Sequence, residues 1–315
     1  MWRYSALLLA TLLPSTPAPR RVAAAPEAFI GRWDLTVRTP EGNRPSWIEI
    51  RHSGREALVG RFVGPVGSAR PIAKVELTGD GMRFAVPPQW EQEAGDIVVE
   101  GRPDGGGGLA GSMTLGDGKR LEWTARRAPT LRRSAPPQWG TPVRLIAAGG
   151  GLAGWHALGE GENQWRVENG VLRSPKSGVN LATDRTFGDF KLHLEFRYPR
   201  GSNSGVYLRG RYEAQIEDVT RDTLPAPDII GSIYGFLTPS EVAARKPDEW
   251  QTYDITLVGR MVTLVLNGKT VVCNQEIPGP TGGALDSDEA APGPLYLQGD
   301  HGPIEYRNIT ITPAR

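Results

Sequence analysis

Polar and apolar positions alternate in short runs along almost the whole chain, the period of half-buried β-strands and not of helices. Between residues 29 and 126 eight runs follow one another at near-even spacing: Arg32–Arg38, Ser46–Arg51, Ala57–Val63, Ala73–Leu77, Met82–Val86, Asp96–Gly101, Gly108–Leu115 and Arg120–Ala125. Turn signals such as Glu41-Gly42-Asn43, Gly79-Asp80-Gly81 and Gly116-Asp117-Gly118 separate them. Eight strands with short connections predict a small antiparallel barrel over residues 27–126. Alternation resumes after residue 143, in Gln164–Val167, Gly170–Arg173, Asn180–Thr183, Phe190–Tyr198, Gly205–Leu208, Tyr212–Asp218, Thr252–Val258, Met261–Leu266, Lys269–Val272, Leu295–Leu297 and Ile304–Ile311. Asn267-Gly268 supplies the two positive φ angles of a type I′ hairpin turn. Strands spread over residues 143–315 suit a two-sheet sandwich or jelly roll with a groove on one sheet. The single helical expectation is a turn at Pro239–Arg245, capped by Thr238 or Ser240.

Composition supports an all-β chain, because 40 Gly and 27 Pro disfavour long helices. Residues 127–142, rich in Pro and Arg, have the composition of a semi-stiff linker. Residues 1–25 read as an export signal: Arg3, an apolar stretch from Ser5 to Leu13, and Val22-Ala23-Ala24-Ala25 as an A-x-A cleavage site. The stretch is shorter than the roughly 20 residues of a membrane-spanning helix, and no later one approaches that length. These features predict an exported protein, periplasmic or extracellular, with no transmembrane segment. With 36 basic and 35 acidic residues and no basic block, nothing marks a nucleic-acid partner. One cysteine, Cys273, and four histidines leave catalysis to carboxylates, Arg and one or two His. Cys273, after Val271-Val272, reads as a small core residue, and His156 and His193 as structural. The oligomeric state has no signature.

Gly31-Arg32-Trp33 resembles the G-x-W opening of lipocalin-like barrels, with Trp33 expected to plug one barrel end. A longer resemblance runs through 143–315. It is carried by Gly154-Trp155, Trp165-Arg166-Val167-Glu168-Asn169-Gly170, Phe187-Gly188-Asp189-Phe190 and Asn203-Ser204-Gly205-Val206-Tyr207-Leu208-Arg209. It continues through Tyr212-Glu213-Ala214-Gln215-Ile216-Glu217-Asp218, Gly231-Ser232-Ile233-Tyr234, Glu249-Trp250-Gln251-Thr252-Tyr253 and Gln298-Gly299-Asp300-His301-Gly302-Pro303-Ile304-Glu305-Tyr306-Arg307. These blocks resemble the 3-keto-disaccharide hydrolase domain family, a concanavalin-like jelly roll. The resemblance implies cleavage of glycosides already oxidised to a ketone at sugar C3. The chain departs from the family pattern at Glu217, where an apolar residue is commoner, and in the insert at Thr220–Pro227.

On the strand Tyr212–Asp218, Glu213, Gln215 and Glu217 share one face. Glu213 and Glu217 stand about 13 Å apart on a regular strand, too far for the paired carboxylates of a hydrolytic glycosidase. The partner therefore comes from elsewhere, and Asp300 and His301, flanked by Gly299 and Gly302, stand where a sharp turn brings an imidazole into a cleft. Cleaving a 3-keto-glycoside needs a base for the C2 proton, a donor for the enolate oxygen and an acid for the departing oxygen. His301, oriented by Asp300, and Glu213 are assigned the acid and base roles, and Arg209 the enolate. Gln215, Tyr234, Trp250, Gln298, Glu305, Arg307 and Asn203 are the candidate substrate-binding residues, with Tyr234 and Trp250 stacking on sugar rings and Trp165 assigned to the core. No cofactor is required; Asp300, His301, Glu213 or Asp218 have the ligand types for a divalent cation, though no spacing motif demands one. Two other readings stand beside the enzyme: a non-catalytic carbohydrate-binding module, and a structural surface protein whose barrel docks a partner.

Overall fold

The structure, a computed structural model, describes residues 25–91, 94–146, 150–220 and 224–315. The expected export signal, Ala25 apart, and part of the insert after Thr220 lie outside the described residues. After a 3₁₀ turn at Pro26–Ala28, eight strands form a closed antiparallel barrel: β1 (Gly31–Thr39), β2 (Gly42–Ser53), β3 (Ala57–Val63), β4 (Arg70–Thr78), β5 (Gly81–Val86), β6 (Ile97–Pro103), β7 (Leu109–Thr114) and β8 (Arg120–Arg127). Each strand pairs with its neighbour in sequence, and β8 closes on β1. Its core includes Trp33, Phe62, Phe84 and Trp123. Gly101 and Gly111 make room for Trp123, since a Cβ on either would lie 2.5 or 2.7 Å from its ring. Trp33 donates its indole N–H to the Phe29 carbonyl at 2.8 Å, and the Arg127 guanidinium lies 4.1 Å from its ring centre.

The described residues of the second domain form thirteen strands: β9 (Val143–Arg144), β10 (Trp155–Leu158), β11 (Arg166–Glu168), β12 (Val171–Ser174), β13 (Asn180–Phe187), β14 (Phe190–Arg197), β15 (Asn203–Leu208), β16 (Tyr212–Glu217), β17 (Gln251–Val258), β18 (Met261–Leu266), β19 (Lys269–Glu276), β20 (Gly293–Leu297) and β21 (Ile304–Pro313). One sheet runs β10-β13-β20-β15-β16, and the other β11-β12-β21-β14-β17-β18-β19 with β9 beside β21. Alternate residues of both sheets fill the core between them, as in Leu192, Leu194 and Phe196 opposite Val206, Leu208 and Ala214. Asn267 and Gly268 take φ angles of 51° and 82° in the β18–β19 turn, as expected.

Two local expectations are corrected. Pro239–Arg245 is not helical. The segment lies along the β18–β19 hairpin, with Ser240 N–H bonded to the Val271 carbonyl and Gln251 bonded to both N–H and carbonyl of Arg245, so side chains and a strand edge replace helical hydrogen bonds. Cys273 is exposed. The β18–β19 register shifts around Leu264, so Val271 and Val272 are both buried and Cys273 falls on the solvent side.

The domains are joined by a buried interface. Trp47 on the barrel is fully buried and meets Phe236 edge-on at 5.2 Å. Gly279 fits beneath it, where a Cβ would lie 2.2 Å from the indole nitrogen, and Gly283 N–H donates to the Pro65 carbonyl at 3.2 Å. Residues 128–142 form a strap laid on the sandwich, with Gly140 N–H bonded to Pro313 O and Arg133 paired with Asp189 at 2.9 Å. No helix of the described residues is long and apolar enough to cross a membrane.

Candidate active site

The β15–β16 hairpin sorts its residues by face. Val206, Leu208, Tyr212, Ala214 and Ile216 enter the core, which turns Asn203, Gly205, Tyr207, Glu213, Gln215 and Glu217 to the opposite face. Tyr296 on β20, Gln298 just after it, and Asn180 and Ala182 on β13 continue that face. Tyr207 and Tyr296 stack with ring centres 4.2 Å apart.

Glu213 lies at the centre of this surface, 3% exposed. Its carboxyl folds over Gly205, where a Cβ would stand 2.1 Å from Oε1, so only glycine fits beneath it. Oε2 lies 3.0 Å from the Tyr207 hydroxyl, which also lies 2.9 Å from the Gly282 carbonyl oxygen. Tyr207 has one hydrogen for two acceptors; a protonated Glu213 resolves the conflict by donating to Tyr207, which then donates to Gly282. The electrostatics agree. Burial pushes the Glu213 carboxyl up to about 8, with Asp300 and Glu217 adding to the rise and Tyr207 and His301 opposing it.

The segment after β20 brings in the partners. His301 Nδ1 lies 2.6 Å from Asp300 Oδ1, and Asn180 Nδ2 donates to Asp300 Oδ2 at 3.1 Å. Asn180 Oδ1 accepts from the N–H groups of Gly299 and Asp300, fixing the turn. A carboxylate only accepts, so Nδ1 carries the hydrogen and Nε2 is the basic nitrogen. The bond from Asp300 raises the His301 pKa against the effect of burial, and Glu213 and Glu217 raise it further. Asp300 is itself held low: burial works the other way, but the His301 and Asn180 hydrogen bonds outweigh it. Gly299 and Gly302 serve close packing, not a left-handed turn; a Cβ would stand 2.5 Å from Val179 O in one case and 2.5 Å from Ser202 Oγ in the other.

The structure thus brings Glu213, His301 and Asp300 together. Tyr234 joins them, its N–H bonded to the Glu213 carbonyl at 3.0 Å and its hydroxyl pKa raised chiefly by burial. Gln298 and Asn203 share the face; Gln298 is 7% exposed and its Oε1 has no hydrogen-bond partner. Gln215 shares it too, but its amide is engaged by Asp228 O and Ile216 N–H.

Four assigned residues lie elsewhere. Arg209, with φ 54°, sends its guanidinium to the core side of the hairpin, bonding the Tyr212 hydroxyl at 3.1 Å and the Gly259 carbonyl at 2.8 Å, so it cannot reach a ligand over Glu213. Trp250, Glu305 and Arg307 belong to the outer face of the other sheet. Arg307 and Arg197 lie 3.9 and 4.9 Å from the Trp250 ring centre, occupying the surface a sugar would need. Glu305 is paired with Arg197 at 2.7 Å and Arg307 with Glu195 at 2.7 Å. Trp165 is core, as expected, donating to Val179 O at 2.8 Å. Asp218 accepts from Thr220 N–H in its own loop and from Gly201 N–H in the β14–β15 loop, and among the described residues no three His, Cys, Asp or Glu are grouped to hold a metal ion.

Sequence reasoning missed Tyr207, Tyr296 and Asn180. The first was within reach, because period-two alternation puts Tyr207 on the face of Gly205; the other two depend on β20 lying between β13 and β15, a crossover that no local pattern encodes.

A family model described as a 3-keto-alpha-glucoside-1,2-lyase-like domain matches residues 143–312. Among solved structures, two proteins of Parabacteroides distasonis assigned as glycosyl hydrolases are similar to the chain. The first is 28% identical with a TM-score of 0.46, covering 58% of this chain and 93% of its own. The second is 25% identical with a TM-score of 0.43, covering 55% and 98%. The carbohydrate-binding module CBM66 of Bacillus subtilis is 11% identical with a TM-score of 0.34, covering 50% and 93%. No curated protein matches.

Proposed function

Because the chain belongs to the 3-keto-alpha-glucoside-1,2-lyase-like family through its sandwich, we propose that it cleaves 3-keto-glycosides by elimination on the Glu213 face. The reading is carried by one observation: a carboxyl buried against the Tyr207 hydroxyl, on the same face as a histidine whose free nitrogen is set by a carboxylate. In a 3-keto sugar the ketone acidifies the C2 proton. His301 Nε2 takes that proton and the C2–H electron pair forms the C2=C3 bond of an enolate; as the C3 ketone re-forms, that pair becomes the C1=C2 double bond and the C1–O bond breaks. Glu213 turns its proton from Tyr207 to the departing oxygen, so one alcohol and one unsaturated keto sugar leave with every proton accounted for. With Arg209 facing away, the enolate oxygen takes its hydrogen bond from Tyr296, a hydroxyl whose burial keeps it protonated. Addition of water across the new double bond completes net hydrolysis.

Incubating the protein with methyl 3-keto-α-glucoside tests this: release of methanol with an unsaturated or hydrated keto sugar is expected. Sugar binding without turnover at any pH would identify a binding module instead. The pH dependence is also specified. The acid must hold its proton and the base must lack one, so kcat/KM rises as His301 deprotonates, above the ordinary histidine range, and falls through about 8 as Glu213 ionises. Glu213→Gln is expected to abolish the falling limb in what activity remains.

A further inference from the structure

The barrel contributes to this face. Its β3–β4 loop packs on the sandwich beside Tyr234: a Cβ on Gly235 would lie 2.7 Å from Ala69 N and 2.7 Å from Ser68 Cβ. Ser68 in turn holds the β5–β6 loop, its N–H donating to Gln89 Oε1 at 2.9 Å. That loop is braced from beneath by Arg70, 3% exposed, which donates to Glu91 Oε1 at 2.7 Å and to the Pro87 carbonyl at 2.9 Å. Glu91 Oε2 accepts the Gln89 N–H at 2.7 Å. Between these two fixed residues stands Trp90, 66% exposed. It stands next to Tyr234, whose hydroxyl pKa it helps keep from rising further under burial, and Tyr234 is bonded through its own N–H to the strand position of Glu213.

An indole held in place by its neighbours yet left in water is a preorganised apolar surface with a polar edge, suited to the CH-rich face of a sugar ring. We propose that Trp90 is a substrate-binding residue supplied by the barrel, stacking on the leaving-group sugar while Glu213 and His301 act on the oxidised ring. The assignment deepens the lyase reading and rests on it for the identity of the two rings. It makes the barrel a specificity element: a disaccharide reaches Trp90, whereas a glycoside with a small aglycone does not.

The test uses the full chain, Trp90→Ala and Trp90→Phe, with two readouts. For 3-keto-trehalose, Trp90→Ala is expected to raise KM about tenfold with kcat little changed, the loss of roughly one stacking contact, while methyl 3-keto-α-glucoside is unaffected and Trp90→Phe keeps most of the wild-type KM. Calorimetric binding of unoxidised trehalose, whose C2 proton is not acidified, is expected to weaken by about the same factor without any turnover. Loss of trehalose affinity in Trp90→Ala with no wild-type turnover of the keto sugar keeps Trp90 in the site and removes the lyase reading. Wild-type turnover with unchanged KM and affinity in Trp90→Ala does the reverse. A wild-type chain that binds neither sugar overturns the assignment.

Discussion

Glu213→Gln and His301→Ala are each expected to lower kcat/KM on a 3-keto-glucoside by about 10²- to 10⁴-fold, the usual contribution of a positioned proton-transfer group. Glutamine keeps the size of Glu213 over Gly205 and can still bond Tyr207, so the fold is retained while the transferable proton is gone. His301 is 53% exposed at its side chain, so its truncation leaves no cavity. The two losses are expected to combine less than additively, because base and acid serve one elimination. Arg209→Ala is the informative contrast. Its guanidinium lies on the core side with Tyr212, and its removal is expected to lower the melting temperature, with activity per folded molecule preserved. Unchanged kcat/KM in both Glu213→Gln and His301→Ala would remove the site from the reaction.

The second large effect is on stability, at the interface between the domains. Glu289 of the sandwich is fully buried and accepts from the Tyr212 hydroxyl at 2.7 Å and from Arg260 Nη1 at 3.2 Å. Facing it from β1 is Asp34, 2% exposed, with no N–H or O–H donor on either oxygen. Its neighbour is the Glu289 carboxylate; burial first, and Glu289 second, push Asp34 up to about 8. Arg260 is the buried cation beside this pair, also donating to the Pro129 carbonyl at 2.6 Å. Arg260→Met leaves the charge unpartnered and is expected to cost about 3–5 kcal/mol in chemical denaturation. The sign with pH follows. An acid whose pKa is higher folded than unfolded binds protons preferentially in the native state, so stability falls as pH rises from the ordinary carboxylate range towards 8. Wild-type protein is expected to melt lower at pH 8 than at pH 5, with a steeper decline in Arg260→Met and a shallower one in Asp34→Asn. A flat profile in all three would contradict the raised pKa of Asp34.

The fold was legible wherever alternation was regular. All eight barrel strands and the Asn267-Gly268 hairpin follow from period-two patterning and turn chemistry. Cys273 was misread because a register shift inserts a second consecutive buried residue, and period-two reasoning has no place for one. The site was half legible. Alternation showed that Glu213, Gln215 and Glu217 share a face, and the Asp300-His301 turn was identified by its chemistry. It could not tell which sheet a strand joins, so Glu305 and Arg307, with a plausible periodicity, were assigned to a groove from which a whole sandwich layer separates them. Trp90 was invisible for a related reason: its significance depends on a contact between domains, and nothing in the loop Pro87–Glu91 names its neighbour.

The strand order also sets a schedule for folding during synthesis. Every barrel pairing joins strands adjacent in sequence, except the final closure of β8 on β1. The barrel can therefore close once β8 has emerged from the ribosome. The sandwich cannot, because β21, the last of its strands to be made, lies between β12 and β14 in the middle of its sheet. Until β21 arrives, β14 has an open edge and the Trp165–Tyr306 contact is missing. The finished barrel meanwhile offers Trp47 and the β3–β4 loop as a surface for the nascent sandwich to dock on, so the domain made first can act as a template for the one made second.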